Sequence, residues 1–146
     1  MTMDDQSTSK SGSKNADKTA GTLEIRGKQR SPEIIFDPGK GFLSIKGCSI
    51  PENVNQFYAP VLEALEGYIQ NPAKKTRVVF DLEYVNSTSS QLLLALLYKL
   101  RELVDQGYGL TIEWHYMMDD EDIYETGKSY SELSGLTFNF YEHQHQ

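Results

Sequence analysis

Residues 77–97 read Arg77-Val78-Val79-Phe80-Asp81-Leu82-Glu83-Tyr84-Val85-Asn86-Ser87-Thr88-Ser89-Ser90-Gln91-Leu92-Leu93-Leu94-Ala95-Leu96-Leu97, and three textures meet in them. Arg77 to Leu82 is rich in β-branched and aromatic residues and predicts a buried central strand. Gln91 to Val104 is apolar on most faces and predicts a well-buried helix, with Gly107 as its C-terminal stop. Between them lies the polar cluster Asn86 to Ser90. A buried strand that turns directly into a buried helix is the opening of a β-α-β crossover.

Working outward, the same alternation continues. Leu23-Glu24-Ile25 alternates like a short strand, and Pro32 to Phe36 and Phe42 to Ile45 flank Asp37-Pro38-Gly39-Lys40-Gly41. That pentapeptide reads as a hairpin turn, not a phosphate loop, because a second strand follows it where a phosphate loop needs a helix. Asn53 with Gln56 forms a capping pair for a helix to Gln70, whose apolar positions Val54, Phe57, Val61 and Leu65 recur at helical spacing. Pro60 falls inside it and predicts an irregular first turn or a kink. Leu110 to Tyr116 alternates as a strand, and Asp119-Asp120-Glu121-Asp122 opens a third helix closed by Gly135. Thr137 to Tyr141 is the last strand. The order β-β-β-α-β-α-β-α-β predicts an α/β domain, a mixed β-sheet with helices packed on it.

Composition bounds what this domain does. The chain has 146 residues, enough for one core, and a formal charge of -7, which excludes the positive surface that nonspecific nucleic-acid or membrane binding needs. One cysteine, Cys48, excludes an internal disulfide. No apolar run reaches the ~18 residues of a membrane span and the N-terminus is no signal peptide, so a cytoplasmic protein is expected. Residues 1–21 hold three Lys, three Asp and no aromatic residue, and are expected to be a disordered tail. Taking these from the totals of 14 basic and 21 acidic leaves 11 against 18, so the whole charge belongs to the domain. Residues 143–146 are expected to fray.

Candidate sites are few. No acid, base and nucleophile assemble, so no enzyme is expected. His143 and His145 lack the further ligands of a metal site, His115 reads as a sheet-face residue, and neither metal nor cofactor is expected. Asp119 to Asp122 lacks the spacing of a calcium loop and reads as a helix start, with an acidic docking face for a basic partner as a further use. The Ser/Thr cluster carries the most information. Thr88 as N-cap with Gln91 forms a capping box, yet a cap needs one hydroxyl and four occur in succession. A helix N-terminus also tolerates an anion, and a phosphoryl group there adds about -1.5 to -2 charges. On these residues alone, capping and a phospho-switch stand level.

Five segments in order carry a resemblance: Ser31-Pro32 to Phe36-Asp37-Pro38, Pro51-Glu52-Asn53, Tyr84-Val85-Asn86-Ser87-Thr88-Ser89-Ser90, Trp114-His115-Tyr116, and Asp119-Asp120-Glu121-Asp122 with Glu125 and Gly127. With them the chain resembles the SiaC-type regulatory phosphoproteins over about residues 22–142, a family whose fold is like the STAS domains of anti-sigma-factor antagonists. The resemblance implies a single STAS-like domain without catalytic activity. It implies phosphorylation by a Ser/Thr protein kinase, reversal by a PP2C-type phosphatase, and, when unmodified, binding and activation of a diguanylate cyclase that promotes cyclic-di-GMP signalling and biofilm growth. The family's site reads Asn-Thr-Ser-Ser with phosphate on the residue after Asn. Here that position is Ser87, and Thr88 comes one later. Ser87 is therefore the first expected phosphorylation site and Thr88 the second, within a partner-binding loop of Asn86, Ser87, Thr88, Ser89 and Ser90. The alternatives are an anti-sigma-factor antagonist acting on transcription and a small-ligand-binding STAS-like module.

Overall fold

The computed structural model describes residues 21–145, so the expected tail, apart from Gly21, lies outside the described residues, as does Gln146. The elements are β1 (Leu23–Ile25), β2 (Glu33–Asp37), β3 (Phe42–Ser49), α1 (Val54–Gln70), β4 (Lys75–Val85), α2 (Ser87–Asp105), β5 (Gly109–Met117), α3 (Glu121–Ser134) and β6 (Phe138–His143). This is the order that the hydrophobic patterning predicts. The six strands lie side by side in chain order, β1 and β2 antiparallel to their neighbours and β3 to β6 mutually parallel.

That order decides where the helices go. Each parallel crossover steps one strand further in the same direction, and right-handed crossovers then place α1, α2 and α3 on one face of the sheet. Burial follows the strand period. Val78, Phe80 and Leu82 of β4 are buried under the helices, with Ile112 and Trp114 of β5 beside them, while Arg77 and Glu83 on the opposite face are exposed. The helices contribute Tyr58, Val61 and Leu65, then Leu93, Leu96, Leu97 and Leu100, then Ile123 and Tyr130 to the same core.

Local chemistry sets the element ends. Gly41 closes the β2–β3 turn at φ 65°, and a Cβ there would lie 2.7 Å from the Lys75 carbonyl. Asn53 caps α1, its side-chain oxygen accepting from the Gln56 N–H at 3.0 Å. The helix is continuous through Pro60, which sits on its exposed side. Asp120 caps α3 through the Ile123 N–H at 3.1 Å, with Glu121 and Asp122 in the first turn, so the acidic run is a helix start. Gly135 ends that helix in the left-handed conformation at φ 75°.

Two expectations need correction. His143 does not fray: it is the last residue of β6, pairs with Met117, and accepts the Met118 N–H on its carbonyl at 2.8 Å. Helix α2 is not buried on most faces either. Leu92 and Leu94 are only half-buried and Tyr98 is exposed, because the helix layer is one helix thick and its outer side meets solvent.

Candidate functional site

The parallel strands all end on one edge of the sheet, and the Ser/Thr cluster is built there. Strand β4 runs on to Val85 because its pairing with β3 extends to Ser49, across a register shift between Gly47 and Cys48. The Asn86 N–H donates to the Ser49 carbonyl at 3.2 Å, which makes Asn86 the last residue held by the sheet. Its side-chain oxygen then accepts the Ser89 N–H at 2.9 Å and the Thr88 hydroxyl at 3.2 Å. Asn86 is thus the N-cap of α2, and the expected Thr88–Gln91 capping box is corrected: the helix starts at Ser87, inside the cluster. Asn86→Ala is expected to cost about 1 kcal/mol, read as a lower urea midpoint, with Asn86→Asp retaining most of the cap.

With the cap assigned, the four hydroxyls separate into two pairs. Ser89 is fully buried, and the chain Tyr58 OH to Ser49 Oγ to Ser89 Oγ, at 2.6 and 2.9 Å, ties the first turn of α2 to β3 and α1. Burial pushes the Tyr58 phenol up to about 12, so it stays a neutral donor. The Ser90 hydroxyl bonds the Tyr130 hydroxyl of α3 at 2.5 Å, and burial raises the Tyr130 phenol as well. Ser87 and Thr88 are exposed. Among the described residues the Ser87 hydroxyl has no hydrogen-bond partner, whereas that of Thr88 is engaged by the cap. Ser89 and Ser90 are thus anchored to neighbouring elements, while Ser87 and Thr88 face solvent.

Ser49, Tyr58 and Tyr130 are the contributors that sequence reasoning missed. They come from three other elements, and the bonds that join them to the cluster, Ser49–Ser89 and Ser90–Tyr130, each span 40 residues, so no local spacing marks them.

A second polar cluster occupies the uncovered sheet face. The Arg77 guanidinium donates to both oxygens of Glu113 at 2.7 and 3.1 Å, and the His115 Nε2–H donates to the same carboxylate at 2.9 Å. His115 Nδ1 and His143 Nε2 share a further hydrogen bond at 2.7 Å, with His115 Nδ1 the acceptor when that imidazole is neutral. His115 is a sheet-face residue in a structural network. Among the described residues no three His, Cys, Asp or Glu side chains converge on a metal position. Arg77 beside Glu113 holds its carboxyl below the usual carboxylate range. A folded value below the unfolded one contributes stability that is present above the unfolded pKa and lost as pH falls through the folded one. Arg77→Ala is expected to flatten the acid limb of the stability curve, measured as urea midpoints at successive pH values.

Six strands in sequential order, with the helices on one face and an exposed serine hydroxyl on the first turn of the central helix, define an α/β fold with a polar cluster at the edge where its parallel strands end. The family model for SiaC family regulatory phosphoproteins matches residues 25–143, and the chain belongs to that family. It is similar to the crystal structure of apo-SiaC from Pseudomonas aeruginosa, with a TM-score of 0.75 and 26% identity over 83% of this chain and 98% of that one. It is also similar to a chain in the crystal structure of the diguanylate cyclase SiaD in complex with its activator SiaC from Pseudomonas aeruginosa, with a TM-score of 0.74 and 27% identity over 84% of this chain and 99% of that one. An uncharacterized protein of Pseudomonas aeruginosa strain UCBPP-PA14 is 27% identical over 121 residues, 83% of this chain and 96% of its own length. No helix among the described residues is long and apolar enough to cross a membrane.

Proposed function

We propose that this chain is a non-enzymatic, cytoplasmic partner-switch protein that, when unphosphorylated, binds and activates a diguanylate cyclase. A Ser/Thr kinase adds phosphate at Ser87, and a PP2C-type phosphatase removes it. The observation that carries the reading is the exposed Ser87 hydroxyl at the first position of α2, without a hydrogen-bond partner among the described residues. Similarity to an activator solved with its cyclase supports the choice of partner.

The physics of the position suits a switch. In the free protein a phosphate on Ser87 meets the positive end of the α2 dipole and solvent, so the fold tolerates it. In a complex that covers Ser87, the same dianion loses its water and needs a cation, and desolvating it unpaired opposes binding. The Ser89 and Ser90 anchors hold the turn in place, so the change acts on the surface and leaves the core alone.

The reading is tested by the rate of cyclic-di-GMP formation by candidate cyclases from the same cell. Unmodified protein is expected to accelerate one of them. Treatment with the kinase should abolish the effect, and PP2C treatment should restore it. No acceleration by unmodified protein contradicts the proposal.

A further inference from the structure

Helix α2 carries more apolar surface than its core contacts use. Successive residues of an α-helix turn by about 100°, so Ser89, Leu93, Leu96, Leu100 and Leu103 mark the inward direction. Opposite it lies a stripe through Ser87, Gln91, Leu94, Ala95 and Tyr98. Ser87 therefore points along the outward line, whereas Thr88 points a quarter-turn or so to one side. The neighbours agree with this placement. Lys99 reaches Glu66 of α1 on one flank at 3.3 Å, and Arg101 reaches the Ser134 carbonyl of α3 on the other at 2.8 Å. Tyr98 packs toward α3, its hydroxyl 3.5 Å from the Leu133 carbonyl, and Tyr98 and Leu133 remain 50% and 60% exposed.

The charges around this stripe are asymmetric. The cations beside it are engaged, Lys99 by Glu66 and Arg101 by the α3 terminus and Asp105. Among the described residues Glu102 and Glu132 are exposed without a cationic partner. An apolar centre with an unneutralised acidic rim, on a domain holding the whole charge of -7, complements an apolar patch rimmed by Lys or Arg.

The geometry points to this surface, Gln91, Leu94 and Tyr98 of α2 with Leu133 of α3, as the footprint of the diguanylate cyclase, which would present an apolar patch with a basic rim. This rests on the reading of the chain as a cyclase activator. It explains why a phosphate at Ser87 controls the whole surface. Ser87 heads the same stripe, about 16 Å along the helix axis from Tyr98, so a partner seated on Tyr98 and Leu133 reaches it.

The test uses the full chain and whichever cyclase responds in the activation assay. The double variant Tyr98→Ala/Leu133→Ala is expected to weaken cyclase binding about tenfold or more, while Tyr98→Phe binds as wild type. Glu102→Lys/Glu132→Lys is expected to slow association and to reverse its salt dependence. Tyr141→Ala, on the uncovered sheet face, is expected to bind normally. None of these side chains belongs to the buried core, so each variant is expected to stay folded with Trp114 emission unchanged, and binding is compared only among variants that keep it. Wild-type affinity in the double variant, with binding still lost in Ser87→Asp, overturns the footprint and leaves the activator reading standing. If no cyclase responds in the activation assay, both fail together.

Discussion

Ser87→Asp is expected to leave the domain folded and to weaken cyclase binding by about 100-fold or more, close to 3 kcal/mol at 1.4 kcal/mol per tenfold. Ser89→Asp, two residues on, is expected to do the reverse kind of damage. The Ser87 side chain is in solvent at the start of α2, where a carboxylate gains about 0.3–1 kcal/mol from the helix dipole. Ser89 is fully buried against Ser49, whose own oxygen is held by Tyr58. A carboxylate there has no cation and no room for water, and costs at least about 3 kcal/mol of stability. Urea denaturation followed by far-UV circular dichroism, with cyclase affinity measured on the same preparations, separates the two. A stable Ser89→Asp protein would mean that the first turn of α2 is looser than its hydrogen bonds imply, and normal binding by Ser87→Asp would remove that hydroxyl from the interface.

The second large effect lies beneath α3. Trp114 is the only tryptophan, fully buried, with its Nε1–H donating to the Ile123 carbonyl at 2.9 Å. It packs on Phe80, Tyr130 and Phe138 at centroid distances of 5.4, 5.5 and 5.9 Å. Helix α3 comes this close because residue 127 is glycine: a Cβ there would sit 2.5 Å from Trp114 Nε1. Trp114→Ala is expected to cost about 3–5 kcal/mol. Gly127→Ala is expected to cost about 1–3 kcal/mol by overpacking, since the neighbour in the way is a buried indole and not a flexible chain end. Gly127→Ala should cost less in a Trp114→Phe background, where the smaller ring leaves space, and a double-mutant cycle in urea measures that coupling. Additive costs would show that the glycine serves something other than the indole. Because Tyr130 touches both Trp114 and Ser90, displacement of α3 should also loosen the start of α2.

The alternation of strands and helices was legible because each buried face repeats at its own period. Val78, Phe80 and Leu82 mark a strand, and Val54, Val61 and Leu65 mark a helix, without reference to the rest of the chain. Boundaries that depend on pairing were not. Strand β4 reads as ending at Leu82, yet it continues to Val85 because β3 stays beside it as far as Ser49. That same extension decides that Asn86, not Thr88, is released from the sheet in position to cap. With a run of polar residues able to cap, local propensity does not choose among them; the end of the neighbouring strand does. Likewise the leucine-rich face of α2 reads as buried until the one-sided helix layer leaves part of it outside. The hydroxyl cluster stood out in the sequence as a candidate, but its division into two anchored and two exposed groups rests on Tyr58 and Tyr130, which meet it only in three dimensions.

The central claim is that one added phosphate on an already acidic domain acts by its place. It is tested most directly by titrating the cyclase with two preparations of the chain, one unmodified and one phosphorylated at Ser87 alone, as localised by mass spectrometry. The account expects tight binding by the first, loss of about 100-fold or more by the second, and recovery after phosphatase treatment. Equal affinity for the two preparations would contradict it.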